Sequence, residues 1–139
     1  MYPALVEHLG NAPPIQALRR ILISEAHGTV LEIGAGSGAN FPYYNVSQIK
    51  RLYALEPNPG MRRLAERKRR PGLEVEFLSL SGERVPLCDA SVDTVVSTFT
   101  LCTIPAVREA LNGLARVLKP SGALLFLENS IADDIRVRR

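Results

Sequence analysis

The stretch VLEIGAGSGAN, residues 30–40, decides the fold of this chain. A short run of aliphatic residues that stops at closely spaced glycines predicts a buried strand followed by a tight turn. Glycine lets the main chain approach a ligand where a Cβ would block it, and the start of a following helix offers unpaired N–H groups. The stretch therefore predicts a ligand-binding turn; the alternative is that the glycines only tighten the turn.

Acidic residues around this turn indicate the kind of ligand. Gly34, Gly36 and Ala39 fit the dinucleotide pattern G-x-G-x-x-A, and Glu56 lies 20 residues after Gly36, where an acid that holds ribose hydroxyls belongs. Glu32 would repel a pyrophosphate, whereas a ligand ammonium would gain a charge-assisted hydrogen bond, directly or through water. The pattern favours S-adenosylmethionine, which has an ammonium, a sulfonium, an adenine and a ribose but no phosphate. The alternative for Glu32 is a charge at an exposed strand end.

The rest of the chain alternates strand and helix patterns. Strands are predicted over 29–33, 51–56, 73–80, 91–99 and 123–128, and helices over 13–26, 59–70 and 104–118. Strands separated by helices are typical of βαβ units. We therefore expect an α/β fold: a Rossmann-like, doubly wound, mainly parallel sheet of about five strands with helices on both faces. Its last strand should leave an exposed sheet edge.

The predicted helices have recognisable faces and ends. The apolar stripe of the first comprises Ile15, Leu18, Ile21 and Leu22, flanked by Arg19; that of the last comprises Val107, Leu111, Leu114 and Leu118. Asn58 is the predicted N-cap of the middle helix. Lys119-Pro120-Ser121-Gly122 is expected to end the last helix.

Length and composition indicate one globular domain over residues 1–139, of which 46% are apolar and 22% charged. It would consist of a helical lead-in (1–28), a cofactor-binding core (29–129) and a tail or truncated continuation (130–139). No apolar run is long enough to span a membrane and no signal pattern begins the chain, so we expect a cytoplasmic protein. Cys88 and Cys102 are expected to be reduced, packed thiols, and their spacing supports no metal site.

A basic stretch stands out in the chain, whose net charge is +3. It comprises Arg62, Arg63, Arg67, Lys68, Arg69 and Arg70. Such a run at helical spacing is usually a solvated face, and the alternative is a patch that meets phosphates of lipid or RNA.

Four blocks, in order, carry a family resemblance. They read VLEIGAGSG (30–38), LYALEPNPGM (52–61), SGERVPLCDASVDTVVSTFTLC (81–102) and LARVLKPSGALLFLEN (114–129). From about residue 29 to 129 the chain resembles a class I S-adenosylmethionine-dependent methyltransferase of the type 11 domain. It is most similar to members that act on small thiols, lipids or quinone precursors.

The resemblance implies a function and a site. The cofactor would be S-adenosylmethionine, with S-adenosylhomocysteine as product, and the methyl acceptor a small thiol, amine, hydroxyl or lipid headgroup. Glu56 would take the ribose hydroxyls, Asn58 and Met61 would flank the adenosine, and Thr98 would lie beside the methionine part unless it is a plain strand-end residue. The implied cofactor-binding residues are Glu32, Gly34, Ala35, Gly36, Gly38, Asn40, Glu56, Pro57, Asn58, Met61, Ser81, Gly82, Glu83 and Thr98.

The chain also departs from the family. Ser81 stands where many relatives have an aspartate that accepts from the adenine amino group, so this contact is expected from the backbone at Gly82 and Glu83. The sequence Ser97-Thr98-Phe99-Thr100 disfavours a nucleobase-amine acceptor, and nucleic acid is not an expected partner. Family members continue into two more strands, so most of the acceptor half is expected to be absent.

No catalytic residue is assigned. Glu83 and Cys102 are the candidates for a residue that approaches an acceptor, although Cys102 is better interpreted as a packed thiol. His8 and His27 are expected to be structural or exposed, and Asp93 to be a structural turn or strand-end residue. Two other functions stay open: a noncatalytic cofactor-binding remnant, and an NAD(P)-dependent oxidoreductase. Peripheral membrane contact through residues 62–70 stays open as well.

Overall fold

The computed structural model describes residues 13–128, which form a parallel five-stranded sheet with helices on both faces. The strands are β1 (Gly28–Ile33), β2 (Ile49–Leu55), β3 (Val75–Leu78), β4 (Val92–Thr98) and β5 (Leu118–Leu127). The helices are α1 (Pro13–Ile23), α2 (Pro59–Glu66) and α3 (Val107–Val117), with short 3-10 turns at Phe41–Tyr43 and Leu101–Thr103. The predicted fold class is confirmed.

The strand order creates one crevice. The sheet runs β3-β2-β1-β4-β5, so the chain moves outward from β1 to β3 and then returns to the other side of β1. In parallel sheets of this kind ligands bind outside the carboxyl ends of the strands where the order reverses. Here that point lies between β1 and β4, where Ile33 pairs with Ser97.

Two apolar layers cover the two faces of the sheet, so its central strands are buried on both sides. One layer joins Ile23 of α1 and Ala65 of α2 to Val30 of β1. The other joins Leu114 of α3 to Leu31 and its neighbours. The aliphatic residues Val30, Leu31 and Ile33 of β1 suit this double burial, and Glu32 is the one buried acid among them.

The predicted apolar stripes of two helices are wrong in part. In α1, Arg19 and Ile23 face the sheet, whereas Leu18 and Ile21 are 47% and 67% exposed. Burial of Arg19 is tolerated because its guanidinium has hydrogen-bond partners inside the fold. In α3, the buried residues are Ala110, Leu114 and Val117, while Val107 and Leu111 are exposed.

Strand β5 begins earlier than predicted. It starts at Leu118 and so includes residues 119–122, which were expected to form the stop after the helix. Its register against β4 shifts between Val92 and Thr94, because extra residues of β5 are accommodated there. Pro120 is compatible with this position because β5 lies at the edge of the sheet formed by the described residues.

Several predictions concern details away from the crevice. Asp93 accepts a hydrogen bond from the N–H of Thr29 at 2.9 Å and pairs with Lys119 at 3.0 Å, so its role is structural, as expected. Cys88 is a free thiol but exposed, which corrects the packed assignment. His8, the tail 130–139 and the side chain of Cys102 lie outside what the structure describes. Between residues 13 and 128, no helix has the length and apolarity needed to cross a bilayer.

Candidate functional site

Gly36 is the open position of the glycine turn. Gly34, Gly36 and Gly38 all have φ between +58° and +81°, the left-handed region that favours glycine. A Cβ at Gly34 would meet the side chain of Thr100, and one at Gly38 would lie 3.0 Å from Ala65. A Cβ at Gly36 would have its nearest contact at 3.8 Å. Packing inside the protein therefore explains Gly34 and Gly38, whereas Gly36 leaves space for a ligand.

Glu56 lies beside this open position at the carboxyl end of β2. Its Oε1 accepts a hydrogen bond from the N–H of Gly36 at 2.8 Å, and its Oε2 accepts one from the N–H of Asn58 at 2.9 Å. An ionised carboxylate has about four acceptor positions, so capacity remains for further donors such as vicinal hydroxyls. Glu56 therefore joins the glycine turn to the start of α2 and still has the chemistry to bind a ribose.

The start of α2 completes this side of the crevice. The side chain of Asn58 accepts hydrogen bonds from the N–H groups of Gly60 and Met61, at 2.9 and 3.1 Å, which confirms the predicted N-cap. Pro57 and Asn58 are exposed and Met61 is half-buried. These residues lie next to Glu56 in the chain, and Asn58 is bonded to it.

A buried polar cluster lies on the other side of the turn. Tyr44 donates its hydroxyl to Glu32 Oε1 at 2.6 Å, and Asn40 Nδ2 lies 3.2 Å from Glu32 Oε2 and 3.0 Å from Thr98 Oγ1. Arg19 Nη1 donates to Asn40 Oδ1 at 2.7 Å and to Thr98 Oγ1 at 3.2 Å. The cluster thus links α1, the glycine turn and the end of β4.

Burial sets the electrostatics of this cluster. It raises the pKa of Glu32 to about 7, against the lowering effect of the hydrogen bonds from Tyr44 and Asn40 and of the charge on Arg19. Burial, with the charge of Glu32, raises the pKa of Tyr44 well above its ordinary value. Burial lowers the pKa of Arg19, and the charge of Glu32 opposes that shift. Glu32 consequently changes protonation state near neutral pH, so a cation that enters the crevice would favour its ionised form.

The structure gives Glu32 protein partners on both oxygens. Its side chain is almost completely buried, with 1% exposure, instead of standing open at the strand end. Asn40 lies between Glu32 and Thr98, so its amide is the group through which Glu32 reaches the crevice. The predicted acidic side chain is present, but it lies beneath the turn.

Arg19 and Tyr44 are site residues that the sequence interpretation missed. The spacing of Arg19, Ile23 and Ala26 places them on one helical face, and this signal could have identified the buried arginine. The guanidinium of Arg19 also lies 5.5 Å from the ring centroid of Phe99, within cation–π range. For Tyr44, which follows the 3-10 turn, the sequence carries no comparable signal.

The loop after β3 brings its predicted residues to the same edge of the sheet. Ser81 donates its hydroxyl to Glu83 Oε2 at 3.1 Å, and Glu83 Oε1 accepts from the N–H of Ala106 at 3.4 Å. Gly82 is buried, and a Cβ there would lie 2.9 Å from Ile104. These side chains are engaged with the protein, so adenine recognition by the backbone of this loop stays a prediction.

Two arginines of the basic stretch make contacts within the protein. Arg70 donates to the carbonyl oxygens of Phe41, Pro42 and Tyr44 at 2.7 to 3.3 Å, and so holds the 3-10 turn that follows Asn40. The guanidinium of Arg69 lies 5.0 Å from the ring centroid of Phe77. Two arginines of the face expected to be solvated are therefore engaged within the protein.

Known proteins resemble this chain over most of its length. Residues 31–126 match the family described as "Methyltransferase domain". The thiol S-methyltransferase TMT1B of Rattus norvegicus is 34% identical over 105 residues, which cover 73% of this chain and 42% of that protein. The ubiquinone/menaquinone biosynthesis C-methyltransferase UbiE of Klebsiella pneumoniae is 31% identical over 107 residues, which cover 73% of this chain and 43% of that protein.

A solved structure of similar extent is that of a SAM-dependent methyltransferase from Aquifex aeolicus. It superimposes with a TM-score of 0.72 at 25% identity, covering 99% of this chain and 78% of that one. In contrast, the chain spans less than half the length of either curated relative.

Proposed function

This chain belongs to the class I S-adenosylmethionine-dependent methyltransferase family, and we propose that it binds this cofactor and directs its methyl group to a small thiol. The observation that carries the proposal is the open space at Gly36 directly beside the carboxylate of Glu56. A backbone without a Cβ next to an acceptor for two hydroxyls fits a nucleoside, and the nearby acid Glu32 disfavours a pyrophosphate.

The buried cluster suits the amino-acid end of the same cofactor. Arg19 supplies a guanidinium whose geometry matches a carboxylate, and Glu32, through Asn40, supplies negative charge for an ammonium. Thr98 lies at the carboxyl end of β4 between these two groups. We propose that these residues orient the methionine portion of S-adenosylmethionine.

Methyl transfer asks mainly for position. When bound, S-adenosylmethionine supplies a methyl group on a positively charged sulfonium. The acceptor sulfur forms a bond to this methyl carbon as the bond to the sulfonium breaks, the thiol proton leaves to solvent, and the products are a methyl thioether and S-adenosylhomocysteine. Orientation of this kind contributes roughly 7 to 11 kcal/mol to lowering a barrier. The glycine turn, Glu56 and Arg19 would provide it.

A thiol is the acceptor that we favour over an amine, an alcohol or a carbon acid. A thiol is partly ionised at neutral pH and strongly nucleophilic, so it needs little help from a general base. Within residues 13–128 the crevice described above has no histidine, and Glu83 is engaged by Ser81 and Ala106. The thiol S-methyltransferase relative supports the same choice, while UbiE, a C-methyltransferase, represents the alternative.

Binding of three ligands tests the cofactor assignment. S-adenosylhomocysteine carries both the nucleoside and the amino acid, 5′-methylthioadenosine only the nucleoside, and NAD a pyrophosphate. Thermal unfolding is measured with each ligand at the same concentration, 100 times the dissociation constant of S-adenosylhomocysteine, at which that ligand should add about 2.7 kcal/mol of stabilisation. We expect the first two to stabilise the protein, the first more strongly. Stabilisation by NAD alone would establish the oxidoreductase alternative instead.

A matched acceptor pair tests the reaction. Benzenethiol and phenol differ mainly in the reacting atom, and production of S-adenosylhomocysteine can be followed for both. We expect turnover with the thiol at a rate well above that with phenol. Cofactor binding with no turnover on either would support the noncatalytic alternative, and turnover on phenol alone would contradict the thiol assignment.

Peripheral membrane contact through residues 62–70 stays a proposal of lower rank. Arg63 and Arg67 are exposed, whereas Arg69 and Arg70 are engaged within the protein. Sedimentation with phosphatidylserine vesicles, compared with phosphatidylcholine vesicles, tests it, and loss of binding in Arg63→Ala/Arg67→Ala is the expected signature. Equal sedimentation with both kinds of vesicle would rule out an electrostatic contact.

A further inference from the structure

We propose that Glu128 is a positioning residue for the cofactor site, although it lies at the end of β5 and outside the residues that face the cofactor. Its carboxylate holds the turn after β4, and this turn supports both Gly34 and Thr98. The inference rests on the proposed function for its activity consequences, and its structural part can be tested without any ligand.

The carboxylate of Glu128 organises the turn by accepting three hydrogen bonds on one oxygen. Oε1 accepts from the hydroxyl of Ser97 at 2.6 Å, from the N–H of Thr100 at 3.2 Å and from the N–H of Leu101 at 3.0 Å. Hydrogen bonds to an ionised acceptor are the stronger kind. The side chain that directly follows β5 therefore satisfies two successive backbone donors that follow β4.

The turn that Glu128 holds is strained. Phe99 has φ of +53°, in the left-handed region that a residue with a bulky side chain rarely adopts. Such a conformation is energetically unfavourable and persists only where surrounding contacts impose it. The contacts that impose it here are the hydrogen bonds that Glu128 accepts and the hydrogen bond from the N–H of Phe99 to the carbonyl of Leu127, at 2.7 Å. Strain of this kind is concentrated at functional sites.

Thr100 connects the turn after β4, which Glu128 holds, to Gly34, the first glycine of the ligand-binding turn. The Thr100 hydroxyl lies within 3.3 Å of the carbonyl oxygens of Ile33 and Gly34, to which it can donate. Its side chain also occupies the space that a Cβ at Gly34 would need. A displacement of Thr100 would therefore release the anchor of the glycine turn.

The same turn reaches the buried cluster at its other end. Thr98 immediately precedes Phe99 and receives hydrogen bonds from Arg19 and Asn40. Phe99 itself lies under the guanidinium of Arg19. Glu128 thus supports two parts of the cofactor site, the glycine turn and the amino-acid end, through a single backbone segment.

The remaining oxygen of Glu128 argues against a role in stability alone. Oε2 is buried and has no hydrogen-bond partner among the described residues. A buried acceptor without a donor costs stability, and such groups in native proteins call for an explanation. An apolar residue at this edge would avoid that cost but could not hold the N–H groups of Thr100 and Leu101.

Three variants separate positioning from folding. Glu128→Ala removes all three hydrogen bonds, Glu128→Gln keeps a carbonyl oxygen that can accept them, and Glu109→Ala makes the same change of charge at an exposed position of α3. Calorimetry measures the affinity of each for S-adenosylhomocysteine, well below its melting temperature. We expect Glu128→Ala to lose roughly 10-fold or more in affinity, within the range of couplings between separate sites. Glu128→Gln should recover part of the loss, and Glu109→Ala should bind like the unaltered protein.

NMR spectra of the backbone amides in the ligand-free protein provide the second readout. Glu128→Ala should move the signals of Gly34 and Thr98 as well as those of Thr100 and Leu101. If that variant does not fold, Thr100→Val tests the same link, because it removes the hydroxyl at nearly constant volume and should weaken binding to a similar degree. In a folded Glu128→Ala variant, unchanged affinity together with unmoved Gly34 and Thr98 signals would overturn the proposal. In Thr100→Val, unchanged affinity alone would overturn it. If the unaltered protein does not bind S-adenosylhomocysteine, the cofactor proposal fails, and the Gly34 and Thr98 signals alone decide the role of Glu128.

Discussion

The carboxylate of Glu56 accepts the backbone N–H of Gly36 across a distance of 2.8 Å, although the two residues lie 20 positions apart in the chain. This bond joins the end of β2 to the open glycine of the turn after β1. It fixes the position of the carboxylate that would bind ribose hydroxyls relative to the glycine turn on which the nucleoside would lie. The first prediction tests that relationship.

Glu56→Ala should weaken both S-adenosylhomocysteine and 5′-methylthioadenosine. Each lost hydrogen bond to a charged group is worth about 1.5 to 3 kcal/mol, so calorimetry should show a loss of at least about 10-fold for either ligand. The melting temperature should fall by several degrees, because the N–H groups of Gly36 and Asn58 lose their acceptor. The affinity and the melting temperature of Glu56→Gln should lie between those of Glu56→Ala and those of the unaltered protein. Equal binding by Glu56→Ala and the unaltered protein would refute the ribose assignment.

Gly36→Ala and Gly34→Ala should fail for different reasons. At Gly36 a methyl group meets no protein atom closer than 3.8 Å, so the cost is mainly that of the left-handed backbone, about 1 to 2 kcal/mol. This variant should fold but bind S-adenosylhomocysteine poorly, because the methyl group occupies the ligand's space. At Gly34 the methyl group would displace Thr100, so unfolding should occur at a clearly lower temperature. Full binding by Gly36→Ala would mean that the ligand does not approach there.

Arg19→Lys should discriminate between the two nucleoside ligands. A lysine has no fork with which to contact both Asn40 and Thr98 and bind a carboxylate as well. Affinity for S-adenosylhomocysteine should fall roughly 10-fold or more, as for the loss of a hydrogen bond between charged groups. Affinity for 5′-methylthioadenosine, which has no carboxylate, should change little. Arg20→Lys, on the exposed side of α1, serves as the control. Parallel losses for both ligands would show that Arg19 acts only through the fold.

Glu32 should make the protein less stable as the pH rises. Its pKa is raised from 4.5 to about 7, so the folded state holds the proton more tightly than the unfolded state does. This contribution is fully present below pH 4.5 and is lost as the pH rises through 7, by an amount on the order of 3 kcal/mol. Denaturant unfolding of Glu32→Gln should show a smaller fall in the free energy of unfolding between pH 5 and pH 8.

The same variant should bind S-adenosylhomocysteine less tightly, because the ammonium loses its negative partner. A gain in stability at pH 8 combined with a loss of affinity would identify Glu32 as a charge kept for binding. An unchanged pH dependence in Glu32→Gln would show that Glu32 is not the group that titrates.

The sequence was sufficient for features that depend on neighbouring residues. The alternation of strands and helices, the turn at 34–38 and the N-cap at Asn58 all follow from periodicity, glycine placement and local hydrogen bonding. The position of Glu56 could also be predicted, because β1 and β2 pair in a register that brings their carboxyl ends together. The ends of elements were less accurate, since a terminal turn depends on what packs against it, as the early start of β5 shows.

The buried faces of the helices were harder to predict from the sequence. An apolar stripe containing Leu18 and Ile21 was a reasonable expectation, yet Arg19 lies on the inner side. Helical periodicity reflects only the spacing of apolar residues, so it does not predict that a polar side chain will have hydrogen-bond partners inside the fold. Arg19 is accommodated because Asn40 and Thr98 meet it there.

By itself, the sequence determined the family, the buried strand that ends at the glycine turn and the acidic residue that follows β2. Only the tertiary structure decided which polar groups meet: Arg19 with Thr98, 79 residues away, Tyr44 with Glu32, and Glu128 with Thr100. Local patterns reflect the preferences of a few adjacent residues, whereas the partner of a buried polar side chain is chosen by which strand ends the sheet brings together. The placement of β4 between β1 and β5 therefore created this site from residues that are distant in the chain.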